Sequence, residues 1–216
     1  MIAVYLYAIT DNARARLSDE LALIPVNGIA GVYGPAPEGE LQATEANLWA
    51  HEAVVETLMQ DGAVLPARFG TVVASIDRLR DELVTRQQEF AQALDRVRGR
   101  VELGVRAVWP HRAAVATPVE SGRVYLQRKV REERAAAEAT SSVHEPLARL
   151  AVESTVRMQQ SPCLTLIGSY LVDRVGVARF RREAERLARR QDGVRLACTG
   201  PWPPYSFTGE QEQREC

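Results

Sequence analysis

Residues 101–109 (VELGVRAVW) constrain the fold more tightly than any other part of the sequence, because their apolar side chains alternate without a break. Apolar residues fill every second position from Val101 to Trp109, and charged residues and a glycine fill most of the positions between them. A period of two is typical of a β-strand that has one buried face and one more polar face. The segment therefore predicts a sheet that is covered on one side.

Further strand and helix patterns precede this segment. Residues 2–9 (IAVYLYAI) are apolar on both faces, which predicts an interior strand. Apolar side chains at helical spacing predict one helix over 47–60 and a longer helix over 76–97. The glycine- and proline-rich stretch 24–41 is expected to supply at most one short strand, near residues 29–33.

The second half of the chain continues this alternation. Residues 121–160 are charged and helix-prone, and a break is expected near Thr140, because Ser142 and Glu145 have the spacing of a capping box that begins a second helix. A strand over 164–174, a helix and a strand over 194–199 then fit a crossover unit in a small sheet. The sequence therefore predicts the α+β class.

The length of the chain sets its domain organisation. A sequence of 216 residues fits one large domain or two small ones. Pro110 and the small residues up to Pro118 are typical of a connector. We therefore expect an N-terminal α+β domain over 1–110 and a smaller C-terminal α+β domain over 111–216.

The charge balance limits the classes of partner. The sequence has 27 basic and 28 acidic residues and a formal net charge of −1. A nucleic-acid partner held by a strong positive field is therefore not expected. No apolar run approaches the roughly 20 residues that span a bilayer, and the N-terminus lacks the basic region that begins a signal peptide. We expect a cytoplasmic protein without a membrane partner.

An arginine-rich run lies between residues 179 and 190, where Glu183 and Glu185 interrupt the basic side chains. Opposite charges at helical spacing, such as Glu185 and Arg189, form compensating pairs on one face of a helix. We interpret this run as a solvated outer face rather than a phosphate-binding site.

Patterns of catalytic and metal-binding residues are missing from the sequence. The three histidines (His51, His111 and His144) lie outside metalloprotease, hydrolase and phosphate-loop motifs, and the cysteines match no zinc spacing. No catalytic residue, cofactor or metal site is therefore predicted, and the protein is not expected to be an enzyme. His51 lies on the apolar stripe of the 47–60 helix and is interpreted as a structural histidine.

The segment LPARFG (65–70) has an unusual backbone. Pro66 lacks an N–H donor, so the segment cannot form an ordinary central strand. Arg68 is expected to be tethered to a carboxylate, and Glu102 and Glu52 are the candidate partners. We interpret an Arg68–Glu102 ion pair as part of the scaffold, with a binding role for Arg68 as the alternative.

The segment TGPWPPYSF (199–207) is the most distinctive in the chain. Its three prolines fix the backbone, so the segment is expected to be extended and stiff. It can present Trp202, Tyr205 and Phe207 to an apolar partner at low entropic cost. The alternative is that these rings fold back and seal the edge of a core.

Taken together, these segments resemble the GvpF/GvpL family of gas vesicle proteins from one end of the chain to the other. LPARFGT and GPWPPYSF, in this order and spacing, are the most specific of them. The matching segments are YLYAI (5–9), HEAVVETLMQDGAVLPARFGTVV (51–73), VELGVRAVW (101–109), YLQRK (125–129), SYLVDR (169–174) and TGPWPPYSF (199–207).

The resemblance implies a non-enzymatic accessory protein of gas vesicle formation, and hence of buoyancy. Its partners would be the small, apolar shell protein GvpA and other gas vesicle accessory proteins, and its location the cytoplasm or the vesicle itself. The implied action is chaperone-like, because a shell subunit with a large apolar surface aggregates when released alone. We expect the contact surface to be formed by Trp202, Tyr205 and Phe207.

The resemblance also implies an N-terminal ferredoxin-like sheet with helices and a second α+β domain with long helices. In the family, a strand and a long loop separate the segment at Gly31 from the helix that holds His51. Here the passage is short, so the second strand of the first sheet is expected to be shortened or missing around 41–46. A small cytoplasmic α+β enzyme and an RNA-binding module are the alternative functions.

Overall fold

The computed structural model describes residues 2–12, 18, 20–37, 39, 41–109, 122–159, 163–190 and 193–209. The chain divides into two compact units. The first contains Met1–Glu102 and Trp202–Cys216, and the second contains Leu103–Pro201. This division differs from the expected boundary at residue 110, because the last part of the chain returns to the first unit. The expected connector, 110–118, lies outside the described residues.

The first unit contains an antiparallel sheet. Its strands are β1 (Val4–Thr10), β2 (Ala22–Val26), β3 (Ile29–Pro35), β4 (Val64–Pro66) and the short β5 (Val72–Val73). The order is β2-β3-β1-β4, and β5 also pairs with β1. This order and the antiparallel pairing are those of a ferredoxin-like sheet, which confirms the predicted fold class.

The expectation of a shortened second strand at 41–46 is wrong. The second strand is β2, which forms a hairpin with β3 through Asn27 and Gly28, both at positive φ. An Asn-Gly pair favours this tight turn, and Pro25 is tolerated because β2 is an edge strand. Residues 41–44 form no strand. The passage to the next helix is short, but the sheet is complete.

Three α-helices pack in the described part of the first unit. They are α1 (Glu45–Asp61), α2 (Ile76–Thr85) and α3 (Gln87–Val97). Val55 and Leu58 of α1 pack against Ala8, Val32 and Val64 of the sheet. The single helix expected over 76–97 is interrupted at Arg86, which separates α2 from α3.

Over the residues that the structure describes, the second unit contains a four-stranded sheet and two α-helices. The order of its strands is β7-β8-β6-β9. The buried side chains of 103–107 confirm the alternation seen in the sequence, and Tyr170 and Phe180 lie in the same core. The elements are β6 (Arg100–Trp109), α4 (Gly122–Ala148), β7 (Glu153–Gln159), β8 (Leu164–Asp173), α5 (Val177–Arg190) and β9 (Arg195–Trp202).

Helix α4 runs without the break expected near Thr140. The Thr140 hydroxyl donates to the carbonyl of Ala136 at 2.8 Å, and the Ser142 hydroxyl donates to the carbonyl of Ala139 at 2.6 Å. Hydroxyl side chains that bond back to the preceding turn can be accommodated inside a helix. The capping residues inferred from the sequence therefore lie in the helix interior.

Candidate functional site

The C-terminal segment 202–209 is the part of the first unit that carries the residues expected to bind a partner. Pro203, Pro204 and Phe207 are buried, and the side chain of Phe207 is only 2% exposed. Trp202 and Tyr205 are half-buried. Two of the three aromatic residues therefore retain some accessible surface.

Hydrogen bonds fix this segment to elements far away in sequence. The Ser206 N–H donates to Glu102 Oε2 at 2.8 Å, and the Ser206 hydroxyl donates to Glu102 Oε1 at 2.7 Å. Arg96 of α3 donates to the carbonyl of Phe207 at 2.6 Å, and the Tyr205 hydroxyl donates to Glu52 of α1 at 2.7 Å. The segment is therefore anchored at successive residues.

The anchoring of this segment limits which of Trp202, Tyr205 and Phe207 can contact a partner. Phe207 lies in the interior in this conformation, as in the alternative where the rings seal a core edge. A contact through Trp202 and Tyr205 stays a prediction. For Tyr205 the contact would involve the ring, because the hydroxyl already donates to Glu52.

The expected scaffold pair involved Arg68 and Glu102. Glu102 is buried, at 8% exposed, and both of its carboxylate oxygens accept from Ser206. Arg68 is exposed, and its carbonyl accepts from the N–H and the hydroxyl of Thr71 in a tight turn. Glu102 therefore holds the C-terminal segment through Ser206. Its ion pair with Arg68 stays a prediction.

An aromatic cluster holds the LPARFG loop. Tyr5, Tyr7 and Phe69 surround His51, whose ring stacks on Tyr7 with centroids 5.5 Å apart. His51 Nδ1 lies 2.9 Å from the Tyr5 hydroxyl, and Nε2 lies 3.1 Å from the carbonyl of Ala67. A carbonyl can only accept, so Nε2 carries the proton and Nδ1 accepts from Tyr5.

These contacts explain the chemistry of the cluster. Burial lowers the pKa of His51 and raises the pKa values of Tyr5 and Tyr7, so the imidazole is neutral and the phenols remain protonated donors. The Tyr5 hydroxyl also accepts from the Gly70 N–H at 3.1 Å. His51 is thus a buried, fully bonded residue that positions the loop, in agreement with its structural interpretation.

The neutral state of His51 predicts a pH dependence of stability. Because its pKa in the folded state is lowered, the stability that it contributes is present above the ordinary pKa of about 6.5 and is lost as the pH falls below it. The free energy of unfolding should fall by at most about 1.4 kcal/mol per pH unit from this group. Urea unfolding of the wild type and His51→Gln at pH values from neutral to mildly acidic measures it. An identical pH slope in both proteins would contradict the assignment.

Glu52 and Tyr205 form the second polar contact of the site. Burial raises the pKa of Glu52, although the bond from Tyr205 acts in the opposite direction. Burial also raises the pKa of Tyr205, and the neighbouring Glu52 adds to this rise. The phenol therefore stays protonated and holds the C-terminal segment as a donor.

Sequence reasoning missed an exposed apolar surface on α4. From 123 to 138 every residue is exposed except Arg128 and Ala136, which are half-buried. Leu126 and Val130 lie one helical turn apart and are 62% and 64% exposed. We call the exposed side chains Val124, Tyr125, Leu126 and Val130 the α4 apolar surface. The available signal was the presence of four large apolar residues in an otherwise charged helix.

Among the residues that the structure describes, no group of three histidine, cysteine, aspartate or glutamate side chains could hold a metal ion. Over the same residues, every helix is too short or too polar to span a bilayer.

Known structures share this fold. The crystal structure of the gas vesicle protein GvpF from Anabaena sp. PCC7120 superposes with a TM-score of 0.76 and 18% identity, and covers 96% of each chain. GvpF from Microcystis aeruginosa gives a TM-score of 0.74 and 17% identity, with 96% of this chain and 99% of that chain covered. At this identity the likeness establishes the fold.

Sequence comparisons give the family. Gas vesicle protein L from Streptomyces sp. (strain CB03234) is 30% identical over 251 residues, which cover 97% of this chain and 94% of that protein. Gas vesicle protein F1 from Halobacterium salinarum is 23% identical over 204 residues, which cover 91% of this chain and 87% of that protein. The family described as gas vesicle synthesis protein GvpL/GvpF matches residues 3–209. This chain therefore belongs to the GvpL/GvpF family of gas vesicle proteins.

Proposed function

We propose that this protein acts in the cytoplasm as an assembly factor that binds the shell protein GvpA and covers its apolar surface until it joins the vesicle wall. Family membership supports a role in gas vesicles. The observation that supports binding of GvpA is the α4 apolar surface, which offers four large apolar side chains on the exposed part of this helix.

The exposed half of α4 is better suited to a partner than to solvent. The exposed part of α4 is supported by pairs such as Arg128–Glu132 at 2.9 Å and Arg134–Glu138 at 3.3 Å. Exposed pairs of this kind contribute only about 0.3–0.5 kcal/mol each. A partner that covers Leu126 and Val130 would add about 1.5–3 kcal/mol for each side chain that it buries fully.

The binding is expected to be apolar and insensitive to salt. Salt screens charge–charge contacts between exposed groups but strengthens or leaves unchanged the burial of apolar area. Trp202 and Tyr205 supply a second, smaller candidate surface in the first unit. The α4 apolar surface is favoured because its side chains are exposed, whereas those of the C-terminal segment are half-buried or buried.

Co-expression of tagged protein with GvpA of the same host tests this proposal. We expect GvpA to be retained through a high-salt wash, and Leu126→Asp with Val130→Asp to lower the retained amount more than about tenfold, because two apolar contacts are replaced by charges. Trp202→Ala is expected to have a smaller effect.

The matched control changes another exposed apolar pair, on α1. Leu48 and Trp49 are 44% and 58% exposed, so Leu48→Asp with Trp49→Asp also removes exposed apolar surface and adds the same charge. This variant should retain GvpA. Absence of capture by the wild type would overturn the proposed function, and equal loss in both pairs would overturn the assignment to α4.

A further inference from the structure

The second unit contains an open groove that the gas vesicle assignment does not explain. Its volume is about 490 Å³, and it lies between the C-terminal end of α4 and one face of α5. Four of its lining residues are arginines, which we call the rim, and two are the apolar residues Pro146 and Leu150, which we call the floor. The lining residues are Pro146, Arg149, Leu150, Arg179, Arg182, Glu183 and Arg186.

The charges around the groove are unbalanced. Arg179, Arg182 and Arg186 follow one another at helical spacing on α5, and Arg149 lies on the α4 side. Glu183, the one carboxylate in the lining, accepts from Arg186, with Nε and Oε2 2.7 Å apart. Arg179 and Arg182 form no salt bridge with a carboxylate in the described ranges of the chain. Arg179 acts on Glu183 at longer range, since it helps to lower the pKa of that carboxylate, and the donors of both guanidinium groups can still bind an anion directly.

Arg149 is only loosely engaged. Its nearest carboxylate oxygen, on Glu145, is 3.6 Å away, and both side chains are largely exposed. Exposed ion pairs with this geometry contribute little to stability. A ligand carboxylate can therefore replace Glu145 as the partner of Arg149 at a small cost in free energy. Arginine suits this exchange, since its planar guanidinium binds a carboxylate through two parallel hydrogen bonds.

The floor of the groove adds a second requirement. Pro146 and Leu150 are half-buried and apolar, and Leu150 packs against the core of the second unit. A ligand that fills the groove therefore presents carboxylates to the rim and an apolar side chain to the floor. Helical or extended acidic segments with interspersed leucine, isoleucine or valine have this composition.

We propose that the groove between α4 and α5 docks an acidic, amphipathic segment of a partner protein, with Arg149, Arg179 and Arg182 binding its carboxylates. This docking is separate from the α4 apolar surface and does not depend on the shell-binding proposal. A nucleic acid fits less well, because a phosphate backbone makes no use of an apolar floor and needs a longer basic track.

The test uses the full chain and a dye-labelled peptide composed of glutamate and leucine at helical spacing, with binding followed by fluorescence anisotropy. Arg179→Glu with Arg182→Glu should weaken binding by about tenfold or more, because two attractive contacts become repulsive. Glu183→Gln should strengthen it several-fold, because the change removes a competing carboxylate and releases Arg186.

The matched control reverses two other exposed arginines of the same unit. Arg123 and Arg131 lie on α4 away from the groove lining, so Arg123→Glu with Arg131→Glu gives the same net charge and should bind the peptide like the wild type. Equal weakening in both double variants, or no binding by the wild type, would overturn the proposal. Tighter binding of a labelled single-stranded DNA through Arg179 and Arg182 would overturn it in favour of a nucleic-acid site.

Discussion

Replacing Phe207 with alanine is expected to lower the free energy of unfolding of the first unit by about 3–5 kcal/mol. This is the usual range for truncating a buried aromatic ring, and Phe207 is only 2% exposed. The change would also loosen the bonds next to it, from Ser206 to Glu102 and from Arg96 to the Phe207 carbonyl. Differential scanning calorimetry measures the effect.

Tyr205→Phe is the control for this prediction. It keeps the ring and removes only the hydroxyl that donates to Glu52, so a loss of about 1–3 kcal/mol is expected from the buried carboxylate left without its donor. A Phe207→Ala protein that unfolds within about 1 kcal/mol of the wild type would show that the segment is not part of the core of the first unit in solution.

Tyr170→Ala is expected to destabilise the second unit by a similar amount, about 3–5 kcal/mol. Tyr170 is fully buried, its ring centroid lies 5.1 Å from that of Phe180, and its hydroxyl lies 3.1 Å from His144 Nδ1. Removing the ring leaves a cavity at the centre of this core. Chemical unfolding followed by circular dichroism provides the measurement.

Tyr170→Phe separates the ring from the hydroxyl. It removes the contact with His144 but keeps the contact with Phe180, so the expected loss is about 1 kcal/mol. If Tyr170→Phe and Tyr170→Ala were equally destabilised, the hydrogen bond rather than the packing of the ring would hold this core together.

Local patterns predicted much of the fold. The alternation over 101–109 and the apolar stripe through His51 both correspond to buried faces in the structure. Such patterns are informative because side-chain burial repeats with a period of two in strands and 3.6 in helices. Such patterns predict which residues face a core, but they do not predict which element packs against those residues.

Other features depend on weaker or competing signals. Arg86 separates α2 from α3 without a glycine or proline, and its side chain bonds to Glu82 and Glu89 on either side. Ser142 has the spacing of a capping residue in the sequence but lies inside α4. The β2–β3 hairpin was obscured by Pro25, which is compatible with a strand only at a sheet edge.

The candidate site was the least predictable part, because it is built from residues distant in sequence. Ser206 and Glu102 are 104 positions apart, and Tyr205 and Glu52 are 153 apart. The sequence could indicate that the proline-rich segment is stiff, but the direction in which its rings point depends on these partners. Exposure of the α4 apolar surface likewise follows from the absence of a covering element among the described residues, which a local pattern cannot report.

Hydrogen exchange of the complex between this protein and GvpA locates the binding surface on this protein. We predict that binding slows exchange of the backbone amides over residues 123–134 of α4, since a partner on Leu126 and Val130 would suppress opening of that helix. The amides of the C-terminal segment should change little, because it is already anchored. A complex in which α4 exchanges as in the free protein, with new protection elsewhere, would contradict the central claim that this helix carries the contact.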